Sequence, residues 1–167
     1  MDYQLLQTLI SFLGFLTVAI TVYYLARQTK AMIDATYLNT YQDVVSQILE
    51  IDRLFIERPW LKQFFHYGID AREDALDAQK YAEISSTAEL IVDFLDNLLV
   101  QKKYMPKANW EGWRKYVIDL FATSPILCRF LEDKKDWYTH EIFQLMETGR
   151  AQRNTGIQPF PKRENAA

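Results

Sequence analysis

Residues 3–26 read YQLLQTLISFLGFLTVAITVYYLA, 24 consecutive positions without an Asp, Glu, Lys or Arg. A bilayer core is crossed by about 20 apolar residues rising about 1.5 Å each, so this run is long enough to span with some tilt. Tyr3 at one end and Tyr23 and Tyr24 at the other stand roughly 30 Å apart on a helix, the separation of two headgroup levels where amphipathic rings settle. A cleaved leader is the first rival, but it calls for a basic start and a shorter apolar run, whereas Asp2 opens this one and its only passable small-residue site is Thr17-Val18-Ala19. A buried core helix is the second. The expectation is a retained transmembrane anchor over 1–26.

Working outward, the charge distribution divides the chain. All 19 Lys and Arg residues, and all of the 22 acids except Asp2, lie from Arg27 onward. Arg27 and Lys30 follow the apolar run at once, so the positive-inside effect predicts an amino terminus outside and a carboxy-terminal domain in the cytoplasm. The single Cys128 cannot close an intramolecular disulfide, which agrees with a reducing compartment. Within the apolar run, Gln7, Ser11, Gly14, Val18 and Thr21 recur at spacings of four and three and line one stripe, where small and polar side chains let two membrane helices approach. The alternative is that the hydroxyls bond back to their own helix.

Before Pro59 the chain has no proline and only Gly14 among its glycines, so the first helix is expected to run on as far as Glu57. Tyr37, Tyr41, Val44, Ile48, Ile51 and Phe55 repeat at four-three spacing and form one apolar seam. Pro59 suits the first turn of a short new helix reaching His66, which Gly68 closes. A second long helix is predicted over about 77–103, burying Ile84, Ala88, Ile91, Leu95 and Leu98. Asn109 is expected to cap the next helix, and Ser124 before Pro125 another. The last helix is expected over about 136–147, ending at Gly149, with 150–167 a flexible tail. The predicted fold is all-α, an N-terminal transmembrane helix continuing into a cytoplasmic bundle of about four to five helices over 27–149. Most aromatics, among them Trp60, Phe64, Phe65, Tyr67, Trp110, Trp113, Trp137 and Tyr138, are expected in its core.

Motifs that carry chemistry are scarce. His66 and His140 are too few for a histidine-rich zinc shell, and His140-Glu141 lacks the second histidine of a metalloprotease helix. Gln63 and Trp137 stand where a di-iron bundle needs glutamates. Cys128 lies in an apolar run, where a small buried hydrophobe is the ordinary meaning. Five glycines, none clustered, provide no phosphate cradle. No catalytic residue, metal ligand or cofactor is therefore assigned, and a pocket uniting His66, Asp136 and His140 is kept only as an alternative.

Charge is more informative. Between Asp70 and Asp96 eight acids face Arg72 and Lys80, whereas from Gln101 to Ala167 twelve bases outnumber eight acids. Asp70, Glu73, Asp74 and Asp77 are the candidate partner surface, against the alternative of a merely solvated face. Tail bases Arg150, Arg153, Lys162 and Arg163 could touch anionic lipid. The net charge of −3 and the lack of a basic stripe interleaved with aromatics argue against nucleic acid.

The apolar start running into Tyr41 to Arg58, followed by Arg58-Pro59-Trp60-Leu61 and later by Ser124-Pro125 through Phe130, Tyr138 and Phe143, resembles uncharacterised bacterial membrane-anchored helical proteins, some of them cyanobacterial. The resemblance implies no activity and transfers no catalytic residue. The functional expectation is a single-pass membrane-anchored module that binds protein partners or itself, as an accessory subunit, adaptor or scaffold. Its alternatives are an enzyme with a pocket near His66 and His140, or a membrane sensor or effector that oligomerises through the Gln7, Ser11, Gly14 stripe.

Overall fold

The computed structural model describes residues 3–70 and 77–155. Among them there is no strand, and six α-helices follow one another: α1 Tyr3–Glu57, α2 Lys62–Phe65, α3 Ala78–Gln101, α4 Lys107–Thr123, α5 Pro125–Asp133 and α6 His140–Asn154. The all-helical expectation holds. Two compact units divide the chain, Met1–Asn39 and Thr40–Ala167.

In the first unit every described residue is solvent-exposed. The most apolar stretch of α1 has a mean hydropathy of 2.1 and none of it is buried, so the helix is long and apolar enough to cross a bilayer. Thr8, Thr17, Thr21, Thr29 and Thr36 each donate a hydroxyl to the carbonyl four residues earlier, satisfying themselves within the helix.

The second unit opens with the last turns of α1. Val44, Ile51 and Phe55 are buried there, whereas Tyr37 and Tyr41 of the same seam are exposed. Periodicity fixes which face is apolar without fixing how much of it another element covers. Arg58 leaves the helical region at φ −130°, ψ 71°, as a residue before proline must, and Pro59–Leu61 turn through a 3-10 helix into α2. Gly68 closes this segment at φ +74°, a conformation that a Cβ disfavours. Asp77 caps α3 by accepting the Lys80 N–H at 2.8 Å.

Three boundaries differ from the sequence reading. Pro106, not Asn109, holds the cap of α4, because its carbonyl accepts the Asn109 and Trp110 N–H groups and its own missing N–H is not needed there. The last helix starts at His140, since residues 134–137 turn through a Trp137 N–H to Lys134 carbonyl bond. It also runs past Gly149 to Asn154: Gly149 is a packing glycine inside α6, not a stop. A Cβ there would lie 2.7 Å from the Ile118 carbonyl and 2.9 Å from Phe121 Cβ, so α6 crosses α4 closely.

Ser124 behaves as the sequence predicts. Its hydroxyl accepts the Leu127 N–H at 3.4 Å and donates to the Phe64 carbonyl at 3.1 Å, tying α5 to α2. Leu61, Phe65, Ile84, Leu95, Val117, Phe121, Leu127, Leu131 and Ile142 form the solvent-free centre. Each such side chain contributes about 1.5–3 kcal/mol by leaving water. Phe55 meets Phe65 at 5.7 Å between ring centroids and Phe94 meets Trp113 at 6.2 Å, within the range of favourable tilted and edge contacts. Tyr67 and Trp137 are exposed instead of buried: Tyr67 lies in the loop after α2, and Trp137 lies in the α5–α6 connection beneath the Lys134 ammonium.

Candidate functional site

The structure does not bring the two histidines together. His66 ends α2, edge-on to Phe55, beside the carboxyl end of α4, where Thr123 and Ser124 bond the Phe65 and Phe64 carbonyls. Arg153, near the end of α6, reaches the Phe121 and Ala122 carbonyls at that same end of α4. His140 opens α6, so thirteen residues, about 20 Å of helix, separate it from that neighbourhood. Asp136 is exposed in the turn before α6. Burial lowers the His66 pKa below 6.5, with Lys62 adding to the effect and Asp52 opposing it. No group of three or more His, Cys, Asp or Glu positioned for a metal ion occurs among the described residues.

Cys128 is buried and donates to the Phe121 carbonyl at 3.5 Å. Its burial raises the thiol pKa despite the opposing Arg153 and Arg150, so the sulfur stays protonated and unreactive. Those two arginines are engaged by the fold. Arg150 bonds Glu132 at 2.5 Å, and the Arg153 guanidinium supplies donors to carbonyls that the end of α4 leaves open. The positions beyond 155, with Lys162 and Arg163, lie outside the described residues.

Of the acidic residues read as a partner surface, Asp70 pairs with Arg129 and Asp77 is occupied as the cap of α3, its pKa lowered first by the Lys80 backbone N–H. Glu73 and Asp74 lie outside the described residues. Farther along α3, Glu89, Asp93 and Asp96 are among the acids that make no ion pair within the described residues, as is Glu50 on α1. Asp93 accepts the Tyr138 hydroxyl at 2.7 Å, and Asp96 accepts that of Thr139 at 2.6 Å. Burial raises the Tyr138 phenol pKa first, then the bond to Asp93, then the charges of Asp93, Glu89 and Asp96.

Two of these carboxylates, Glu50 and Asp93, border a groove between the last turns of α1 and α3. One depression of about 310 Å³ has Ile51 and Phe94 on its floor, Glu50 and Asp93 on its rim, and a Gln47–Asn97 bond of 3.1 Å across it. A second, of about 440 Å³, extends toward Leu54 and Ala82 and ends at the Arg58–Glu83 pair, 2.9 Å apart. Leu90 belongs to both and remains 48% exposed. The sequence reading missed this site. Its signal was the spacing Leu90, Asp93, Phe94 and Asn97, which puts an exposed leucine and a carboxylate on one helical face.

Comparison with protein-family models, with curated proteins and with solved structures finds no match to this chain.

Proposed function

We propose that this chain is a single-pass membrane protein whose carboxy-terminal helical domain binds other proteins at the cytoplasmic surface, as an accessory subunit, adaptor or scaffold. The observation that carries the reading is the first half of α1: 24 uncharged, predominantly apolar residues, none of them buried. In water such a surface costs about 25 cal/mol per Å² of apolar area, and hydrocarbon removes that cost. Arg27 and Lys30 support the orientation with the domain in the cytoplasm. The α1–α3 groove supports the binding role, because its half-exposed leucine and bordering carboxylates give a partner both apolar and charged contacts.

Fractionation of lysed cells tests the anchor. The full chain should sediment with membranes, resist extraction by high salt and alkaline carbonate, and enter the supernatant only with detergent. Crosslinking in intact cells followed by mass spectrometry tests the binding role. Recovery in the soluble fraction without detergent overturns the anchor, and a chain captured at the membrane with no crosslinked protein overturns the module.

A further inference from the structure

The α1–α3 groove is apolar at its floor and negative at its rim, and the same folded unit carries a surface of opposite character. On α4, Lys107, Arg114 and Lys115 are exposed, with Glu111 the one acid on that face, and none of these bases makes an ion pair among the described residues. Just before α4, Val100 and Tyr104 are exposed apolar groups, and the Lys103 ammonium stands 4.7 Å above the Tyr104 ring. Ala108 and Gly112 complete the outer face, and a Cβ placed on Gly112 would meet nothing within 4 Å. Small residues there let the helix settle close to another surface.

We propose that the groove of one copy receives the α4 face of a second copy of this chain. The dimensions agree. Lys107 to Lys115 spans about 12 Å of helix, and the acidic end of the groove, Leu90 to Asn97 on α3, spans about 10 Å. The match selects the end holding Glu50 and Asp93 and leaves the Arg58 end free, so like charges are kept apart. Leu90, half out of water, is the apolar anchor that a neighbouring helix would cover. Exposed ion pairs are weak and are screened by salt, so the contact is weak in dilute solution. Confinement of both copies to one bilayer raises their effective concentration, and the proposal rests on the membrane reading in that respect.

The test uses the full chain, labelled at its carboxy terminus with donor or acceptor dye, in phosphatidylcholine vesicles. Energy transfer should exceed the random-mixing level at about 0.05 M salt and fall toward it at about 0.5 M. Glu50→Lys on the groove's rim, with Glu89→Lys beside it on α3 next to Leu90, makes the groove end positive and spares the Asp93–Tyr138 bond; Lys107→Glu with Arg114→Glu reverses the α4 face. Either pair alone should abolish the excess transfer. A mixture of groove-reversed and face-reversed chains should restore it, since each reversed surface then meets its complement. All four positions are exposed, and circular dichroism shows that the variants fold. Random-mixing transfer for the wild type, transfer indifferent to both reversals, or a folded mixture that fails to recover overturns the proposal. Vesicle flotation separates the two readings: chains that float yet never exceed random mixing leave the anchor standing. If the chains do not float, the anchor falls, and sedimentation of the same mixtures in free solution decides the contact.

Discussion

A Cβ added at Gly149 would sit 2.7 Å from the Ile118 carbonyl, closer than real contacts allow, and backbone atoms of α4 cannot swing aside as a flexible side chain would. Gly149→Ala should therefore destabilise the domain by about 1–3 kcal/mol, read from the denaturant midpoint. Gly112→Ala, on the open face of α4, should instead raise stability by about 0.5–1 kcal/mol through helix propensity. Equal effects at the two positions would contradict the close crossing. The His66 side chain sets a pH dependence. Burial lowers its folded pKa from 6.5, so between that lowered value and 6.5 the unfolded chain binds more protons. The stability contribution is full above 6.5 and is lost as pH falls through the folded pKa. His66→Phe keeps a ring against Phe55 and should remove that part of the acid sensitivity, which denaturation midpoints across this window would show.

At the scale of elements, α1 was the most legible part of the chain. A long run free of proline predicts its continuity, and Pro59 predicts its end, because both follow from local backbone constraints. Ser124-Pro125 was readable for the same reason. The start of α4 and both ends of α6 were not, since Asn109, Asp136 and Gly149 are each able to bound a helix: local bonds at Pro106 and Lys134 set the two starts, and close packing on α4 carried α6 past Gly149. Arg153 shows the mechanism. Its guanidinium binds the Phe121 and Ala122 carbonyls, which helps hold α6 in register past Gly149. Arg153→Leu should cost about 1–3 kcal/mol by leaving the Ala122 carbonyl without its side-chain donor and the Phe121 carbonyl with only the weak Cys128 thiol, measured by thermal or urea denaturation. In α1, Leu13→Lys combined with Leu16→Lys places two ammonium groups at the middle of the apolar run. Each costs about 2.5–3.5 kcal/mol at a bilayer centre, so the double variant should shift from the membrane pellet to the soluble fraction. Its retention in the pellet would count against a span here.

For the whole molecule, the charge asymmetry makes a topological prediction. Every Lys and Arg lies at or after Arg27, so trypsin cuts only on that side of the span. Sealed vesicles with the cytoplasmic face outward should lose the domain to added trypsin, whereas right-side-out vesicles should protect it until detergent opens them. The opposite pattern would reverse the orientation. By itself the sequence determined the helical class, the uncharged run and the charge segregation, because these depend on residue type and on spacing along one helix. Only the tertiary structure decided that Arg150 and Arg153 serve the fold, that His66 and His140 stand apart, and that Glu50 and Asp93 border one groove. Those facts depend on which helix faces come together, and a face readable from periodicity alone does not name the surface that will cover it.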